Sequence, residues 1–143
     1  MATILGLKLL TADGRSLNGS GKGSIQYTGE WQDVPGNGSY VAIAGGLASG
    51  GYGPTLAVME CDAASRVTPT DAPPSGVWCL KRVRWVKDWK PTTDAQRVAY
   101  AAWDKADAAC AKASAAWDKA YAARDKASAA LLATLNDEQG KGE

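Results

Sequence analysis

Arg82, Arg84, Lys87 and Lys90 are interleaved with Trp85 and Trp89 within nine residues. A cation for phosphate beside a π face for a base is what nucleotide binding needs. The same residues equally suit the covering of an exposed sheet face. Arg97 stands three residues after Asp94. At helical spacing such a pair steadies a helix start by roughly 0.2–0.5 kcal/mol. The functional alternative gives Arg97 a ligand phosphate, with Asp94 orienting it or binding a ribose hydroxyl. The stretch Gly45-Gly46-Leu47-Ala48-Ser49-Gly50-Gly51-Tyr52-Gly53-Pro54 is the richest in glycine. It is either a structural turn or a loop whose backbone N–H groups line a ligand. No Lys-Ser/Thr pair follows it, so it is not a P-loop. A strand rather than a helix is expected after it, which argues against a dinucleotide fingerprint. Glu60 is the acidic residue of an otherwise apolar strand, and alternation turns it away from Met59 and Cys61, towards solvent.

Other chemistry is excluded by what the chain lacks. It has no histidine, which removes Ser-His-Asp and Cys-His nucleophiles, histidine general bases and most zinc sites. Cys61, Cys79 and Cys110 fit no CxxC metal pattern and read as small buried hydrophobes. No catalytic residue, metal or cofactor is expected, and the chain is read as a non-enzyme. A formal charge of +1 gives no bias toward a DNA or RNA polymer or an anionic membrane. MATILGLKLL lacks the charged start and cleavage site of a signal peptide. No apolar run approaches the roughly 20 residues of a membrane span. A soluble, cytoplasmic protein is the expectation.

The elements that must position these residues differ on the two sides of Pro91. Before it lie nearly all the glycines and most of the β-branched residues. Ile4–Leu10, Ser24–Tyr27, Ser39–Ala44, Thr55–Cys61 and Val77–Val86 read as strands separated by turns such as Val34-Pro35-Gly36-Asn37-Gly38. In Thr55–Cys61, alternation sets Thr55, Ala57, Met59 and Cys61 on one face. In Val77–Val86 it sets Val77, Cys79, Lys81, Val83 and Trp85 on one face and Trp78, Leu80, Arg82, Arg84 and Val86 on the other.

After Pro91 the chain is rich in alanine. Thr92-Thr93-Asp94 supplies helix caps, and no Gly or Pro occurs from Ala95 to Leu135. A seven-residue repeat is visible: AAWDKAD from Ala101, AACAKAS from Ala108, AAWDKAY from Ala115, AARDKAS from Ala122 and AALLATL from Ala129. Such a period holds one stripe against a partner helix. Two adjacent seams are available. One is all alanine: Ala102, Ala106, Ala109, Ala113, Ala116, Ala120, Ala123 and Ala127. The other runs Trp103, Ala106, Cys110, Ala113, Trp117, Ala120, Arg124, Ala127 and Leu131. As one helix of some 40 residues it would extend about 60 Å, beyond a small β-domain. Pairing between chains is therefore expected. A break near Ser114 into an α-hairpin is the alternative.

The segments KLLTADGRS, GEWQDVP, GSYVAI, YGPTLAVMEC and PTTDAQRVAY, followed by an alanine-rich tail, resemble small phage-encoded proteins with a β-domain and alanine-rich helix. The layout is similar to the first-described family of phage Thoeris anti-defence proteins. That resemblance implies a sponge: a viral anti-defence protein that sequesters cyclic ADP-ribose isomers, and in some members cyclic oligonucleotides, without cleaving them. It implies assembly through the C-terminal helices and pockets lined by helix arginine and β-core aromatics. Carried onto this chain, it points to Arg97 and Asp94, and to Trp31, Trp85 and Trp89 as stacking residues.

The combined expectation is an α+β protein. Residues 1–90 form a small antiparallel β-sheet or curled barrel. Residues 91–137 form a long heptad helix that mediates homo-oligomerisation as a coiled coil. Residues 138–143 form a disordered tail. A small nucleotide ligand would be bound by Arg97, Asp94, Trp31, Trp85, Trp89 and Arg84 in the cytoplasm of an infected bacterial host. The alternative is a structural or protein–protein interaction module working through the helix.

Overall fold

A computed structural model of the chain describes residues 2–16, 25–45, 47, 55–70, 73, 75–112 and 117–136. The fold is α+β, and the chain divides into two compact units, Met1–Trp89 and Lys90–Glu143.

The first unit holds seven strands: β1 (Thr3–Leu10), β2 (Gln32–Asp33), β3 (Ser39–Ala42), β4 (Thr55–Asp62), β5 (Arg66–Val67), β6 (Val77–Leu80) and β7 (Arg82–Trp85). They form one antiparallel sheet in the order β2-β7-β4-β1-β3-β6-β5. Only Lys81 separates β6 from β7, yet β6 pairs with β3 and β7 pairs with β4. The sheet must therefore curl until both ends meet the same stretch of chain. Inside the curl lie Leu10, Tyr27, Val34, Val41, Ile43, Ala57, Met59, Cys61, Leu80 and Val83. Strict alternation across Val77–Val86 would turn Leu80 and Val83 to opposite faces, but both are in this core. The alternation expected from sequence is broken at Lys81. The Lys81 N–H donates to Ser65 O (3.1 Å), its carbonyl accepts from the Val34 N–H (2.7 Å), and the Arg82 N–H donates to Ser65 Oγ (3.0 Å). An irregular residue flips every side chain that follows it. Trp78 and Leu80 thus share the core side with Val83 and Trp85, and Arg82 and Arg84 point outward.

The central strand β1 is buried along most of its length on both faces, which explains its nearly unbroken apolar sequence. Register places Gly6 opposite Met59, on the core side. A Cβ at Gly6 would lie 2.5 Å from Val41 Cγ1 and 2.7 Å from the Ala42 carbonyl oxygen. Glycine lets β1 and β3 close at this point.

The second unit is built of α1 (Asp94–Lys112) and α2 (Trp117–Leu135). Thr93 caps α1: its Oγ1 accepts from the Gln96 N–H (3.1 Å), while Gln96 Oε1 accepts from the Thr92 N–H (2.9 Å). Gln96 Nε2 donates to the Thr134 carbonyl (3.4 Å), and Arg124 Nη1 donates to Asp107 Oδ1 (3.3 Å). These two bonds make the helices antiparallel. In place of the single long helix expected, the chain forms two helices that pack on each other, and the connection lies in 113–116, outside the described residues. The physical reason is burial: a lone helix would leave Trp103 and Leu131 in water, whereas here both are buried. Of the two seams, the one carrying tryptophan is buried, at Trp103, Ala106, Arg124, Ala127 and Leu131, whereas Ala102 and Ala123 of the all-alanine seam are exposed. The 138–143 tail lies outside the described residues. Among the described residues no helix is long and apolar enough to cross a membrane.

Gly6→Ala is expected to destabilise the β-unit by about 1–3 kcal/mol through overpacking. Urea unfolding followed by tryptophan fluorescence measures this, and an unchanged midpoint would contradict the close approach of β1 and β3.

Candidate functional site

Three of the β-unit's outward side chains converge near the start of β2. Arg84 lies opposite Glu60 in the β4–β7 register, and its Nε donates to Glu60 Oε1 at 2.5 Å. The Arg84 guanidinium carbon is 5.9 Å from the Trp31 ring centre, and that of Arg82 is 5.6 Å away. Both distances fall within the range of about 6 Å over which a cation is drawn to an aromatic face. The loop that carries Trp31 is tied down at several points. The Trp85 N–H donates to Thr28 O (2.8 Å), and Arg84 Nη1 donates to Gly29 O (3.4 Å). The Gln32 side chain accepts from the Thr28 N–H and donates to the Gln26 carbonyl, each at 2.8 Å. The indole is thus held on a rigid platform beside two guanidinium groups. Glu60 neutralises Arg84, and register sets Asp33 opposite Arg82. A planar ring could stack here, with Arg82 the exposed cation for an attached anion.

The other expected residues are placed differently. Trp85 lies on the core side of β7, away from Arg84. A Cβ at Gly14 would come within 2.6 Å of its ring, and Lys87 Nζ stands 5.0 Å from its centre. Trp89 sits in the turn after β7, where its N–H donates to Val86 O (3.2 Å). Trp31 and Arg84 therefore come together, and Trp85 does not join them on that face. In the helical unit Arg97 Nη2 bonds Asp94 Oδ1 at 2.7 Å, with both side chains exposed. That is the helix-start pair anticipated from their spacing. Glu60 does turn away from Met59 and Cys61, yet its side chain is only 17% exposed because Arg84 covers it. Most of the glycine-rich loop 45–54 falls outside the described residues. Among the described residues no cluster of His, Cys, Asp or Glu is arranged to hold a metal ion.

Sequence reasoning passed over two features. Arg66 stacks on Trp78, its guanidinium carbon 3.8 Å from the ring centre. The β5–β6 pairing creates this contact, and no local signal announces it. The second is Lys8, whose signal was present: a lysine inside the apolar run ILGLKLL. Register sets Lys8 opposite Ala57 on the core side, where it is 3% exposed. Its Nζ donates to the Tyr40 carbonyl (2.7 Å) and stands 5.9 Å from the Tyr27 ring centre. Burial drives its pKa down from 10.5 to about 8, against the opposing pull of Cys61 and Cys79. Burial pushes the Cys61 thiol up to about 12, and raises Tyr27, whose hydroxyl is bonded to Ser39 Oγ at 2.8 Å.

Comparison of the chain with protein-family models, with curated proteins and with solved structures gives no match.

A base with a depressed folded-state pKa disfavours folding wherever it is charged. Lys8 therefore costs most below pH 8, and its cost is relieved as pH rises from about 8 to 10.5. Cys61 acts in the opposite sense: the unfolded thiol ionises from about pH 9, so stability falls between 9 and 12. The chain is expected to be more stable at pH 9 than at pH 7. The full Lys8 effect would be about 3 kcal/mol. Lys8→Met should flatten that rise, as read by urea midpoints across pH 6–10. A variant that keeps the wild-type slope would show that Lys8 is not its source.

Proposed function

We propose that the chain is a non-catalytic binding protein that holds a nucleotide-derived ligand on the Trp31 surface of its β-unit. The observation that carries this reading is the fixed indole with Arg82 and Arg84 beside it. Stacking of a base on an aromatic side chain contributes about 1–3 kcal/mol. Arg82 adds a charge-assisted contact to a phosphate. The resemblance to the Thoeris anti-defence proteins supplies the ligand class: cyclic ADP-ribose isomers or cyclic oligonucleotides, sequestered intact in the cytoplasm of an infected bacterium. Arg97 and Asp94 are further candidate ligand residues of the helical unit on that resemblance, and the same reading has the unit join copies of the chain. A second reading, a protein–protein interaction module, draws on Val98, 70% exposed on α1, and on the exposed Ala102 and Ala123.

Titration calorimetry of the full chain with cyclic ADP-ribose isomers and cyclic di- and trinucleotides tests the proposal. Binding is expected with recovery of unchanged ligand. Trp31→Ala should weaken it by at least tenfold, and Arg82→Ala by a similar factor. No heat with any of these ligands, or full affinity in Trp31→Ala, would overturn the reading.

A further inference from the structure

Glu60 has apolar neighbours on the outer face of the β-unit. Register sets it between Leu5 of β1 and Arg84 of β7, and alternation along β4 puts Val58 on the same face. Leu5 and Val58 are buried, and the Glu60 side chain is only 17% exposed. A leucine or valine at this position would continue that apolar strip with no carboxylate to desolvate. Ion pairs sheltered from water return little net stability, because desolvation offsets the attraction between the charges. Stability of the sheet is therefore a poor reason for a glutamate here. What the glutamate does change is the state of Arg84.

The change is first one of geometry. Glu60 Oε1 accepts from Arg84 Nε (2.5 Å), and the Gly29 carbonyl accepts from Nη1 (3.4 Å). A guanidinium is planar, with its donors in that plane. Anchors on two different nitrogens fix the plane, and among the described residues Nη2 has no protein acceptor. Its direction beside Trp31 is then set by the protein rather than by a ligand. The second change is in charge. Glu60 cancels Arg84, whereas Arg82 has no ion-pair partner among the described residues, although Asp33 faces it in register. One unpaired cation beside one indole matches a ligand that presents a single phosphate close to the ring it stacks. It does not match a strand of nucleic acid, whose affinity grows with each phosphate neutralised.

We propose that Glu60 is the positioning and specificity-determining residue of the Trp31 surface. It fixes the direction in which Arg84 donates, and it withholds a second cation from a phosphate chain, so that compact ligands are favoured over single-stranded nucleic acid. This role rests on the ligand reading of the Trp31 surface given above and specifies how that surface selects.

Titration calorimetry of the full chain, repeated over a range of salt concentrations, compares the tightest-binding of the cyclic nucleotides with a short single-stranded oligothymidylate. Glu60→Ala removes both effects and is expected to lower the ratio of cyclic-nucleotide to oligonucleotide affinity by about tenfold. Glu60→Gln keeps an acceptor for Arg84 Nε, loses only the charge, and should lower that ratio by about threefold. In both variants the log of oligonucleotide affinity should fall more steeply with the log of salt concentration, by about 0.7, the contribution of one more phosphate on a single strand. Circular dichroism checks the fold, and if Glu60→Ala does not fold, the isosteric glutamine variant decides alone. An unchanged ratio and slope in Glu60→Gln, with Trp31→Ala still weakening the cyclic nucleotide, would overturn the role of Glu60 and leave the Trp31 reading standing. Equal losses in the two variants would overturn the positioning. No binding of any cyclic nucleotide to the wild-type chain would overturn both the role and the reading.

Discussion

Closure of the sheet at Lys81 is the constraint on which the β-unit depends. One run of chain must pair with β3 at its start and with β4 at its end, on opposite sides of the central strand β1. A regular strand through Val77–Trp85 would satisfy the hydrogen bonds but would turn either Leu80 or Val83 outward. Burial of two such side chains is worth about 1.5–3 kcal/mol each, enough to favour an irregular residue whose N–H and C=O find partners in Ser65 and Val34. The functional surface is a by-product of that solution. With Val83 and Trp85 inside, Arg82 and Arg84 are left on the outer face, where Trp31 and Glu60 meet them.

The helical unit meets a different constraint with small residues. Alanine at alternate seam positions lets the helices approach and makes room for the bulk of Trp103, which the register sets opposite Ala127. The seam is also unusually polar: Gln96, Arg124 and Ser128 are all buried. Each has a bond that fixes it, to Thr134, Asp107 and the Asp125 carbonyl respectively. Removing Asp107, which is half-buried, would take the carboxylate from the buried Arg124 guanidinium, which costs more than the pair contributes. The Arg124–Asp107 pair ties α2 to α1 and so marks the register of the two helices.

The α+β class was legible from the change of composition at Pro91, whereas the curl of the sheet was one of two alternatives and both helix seams stayed open, since these depend on pairing between distant segments. The core face of β4, at Ala57, Met59 and Cys61, follows from alternation alone. The flip at Lys81 was not legible, since it answers to the pairing of distant strands rather than to any neighbour in sequence. The division into two helices was open in the sequence only as the alternative to one long helix, because nothing in Ala113–Ala116 differs from the repeat around it. In the candidate site, Arg84 was visible as a basic residue among aromatics, but its aromatic neighbour is Trp31, 53 positions away in the sequence, rather than the adjacent Trp85. Adjacent residues of a strand face opposite ways, so a cluster in sequence is divided in space.

That division bears on what the Trp31 surface can select. Arg84 has its charge engaged by Glu60, a partner only 17% exposed, and the cross-strand neighbour of Arg82 is Asp33. Two cations face two carboxylates, so the patch carries little net charge to draw a polyanion from a distance. It therefore differs from the basic stripes that track nucleic acid backbones, whose affinity scales with the number of phosphates neutralised. Selection on such a surface falls to stacking and to the fixed direction of the guanidinium donors. Arg84, held by Glu60 and Gly29, cannot swing to follow a mobile phosphate, and so contributes geometry rather than reach. A compact ligand with one ring to stack and an anionic group at a set distance suits this arrangement better than an extended polymer. The ion pair that weakens long-range attraction is thus the same feature that would make recognition depend on shape.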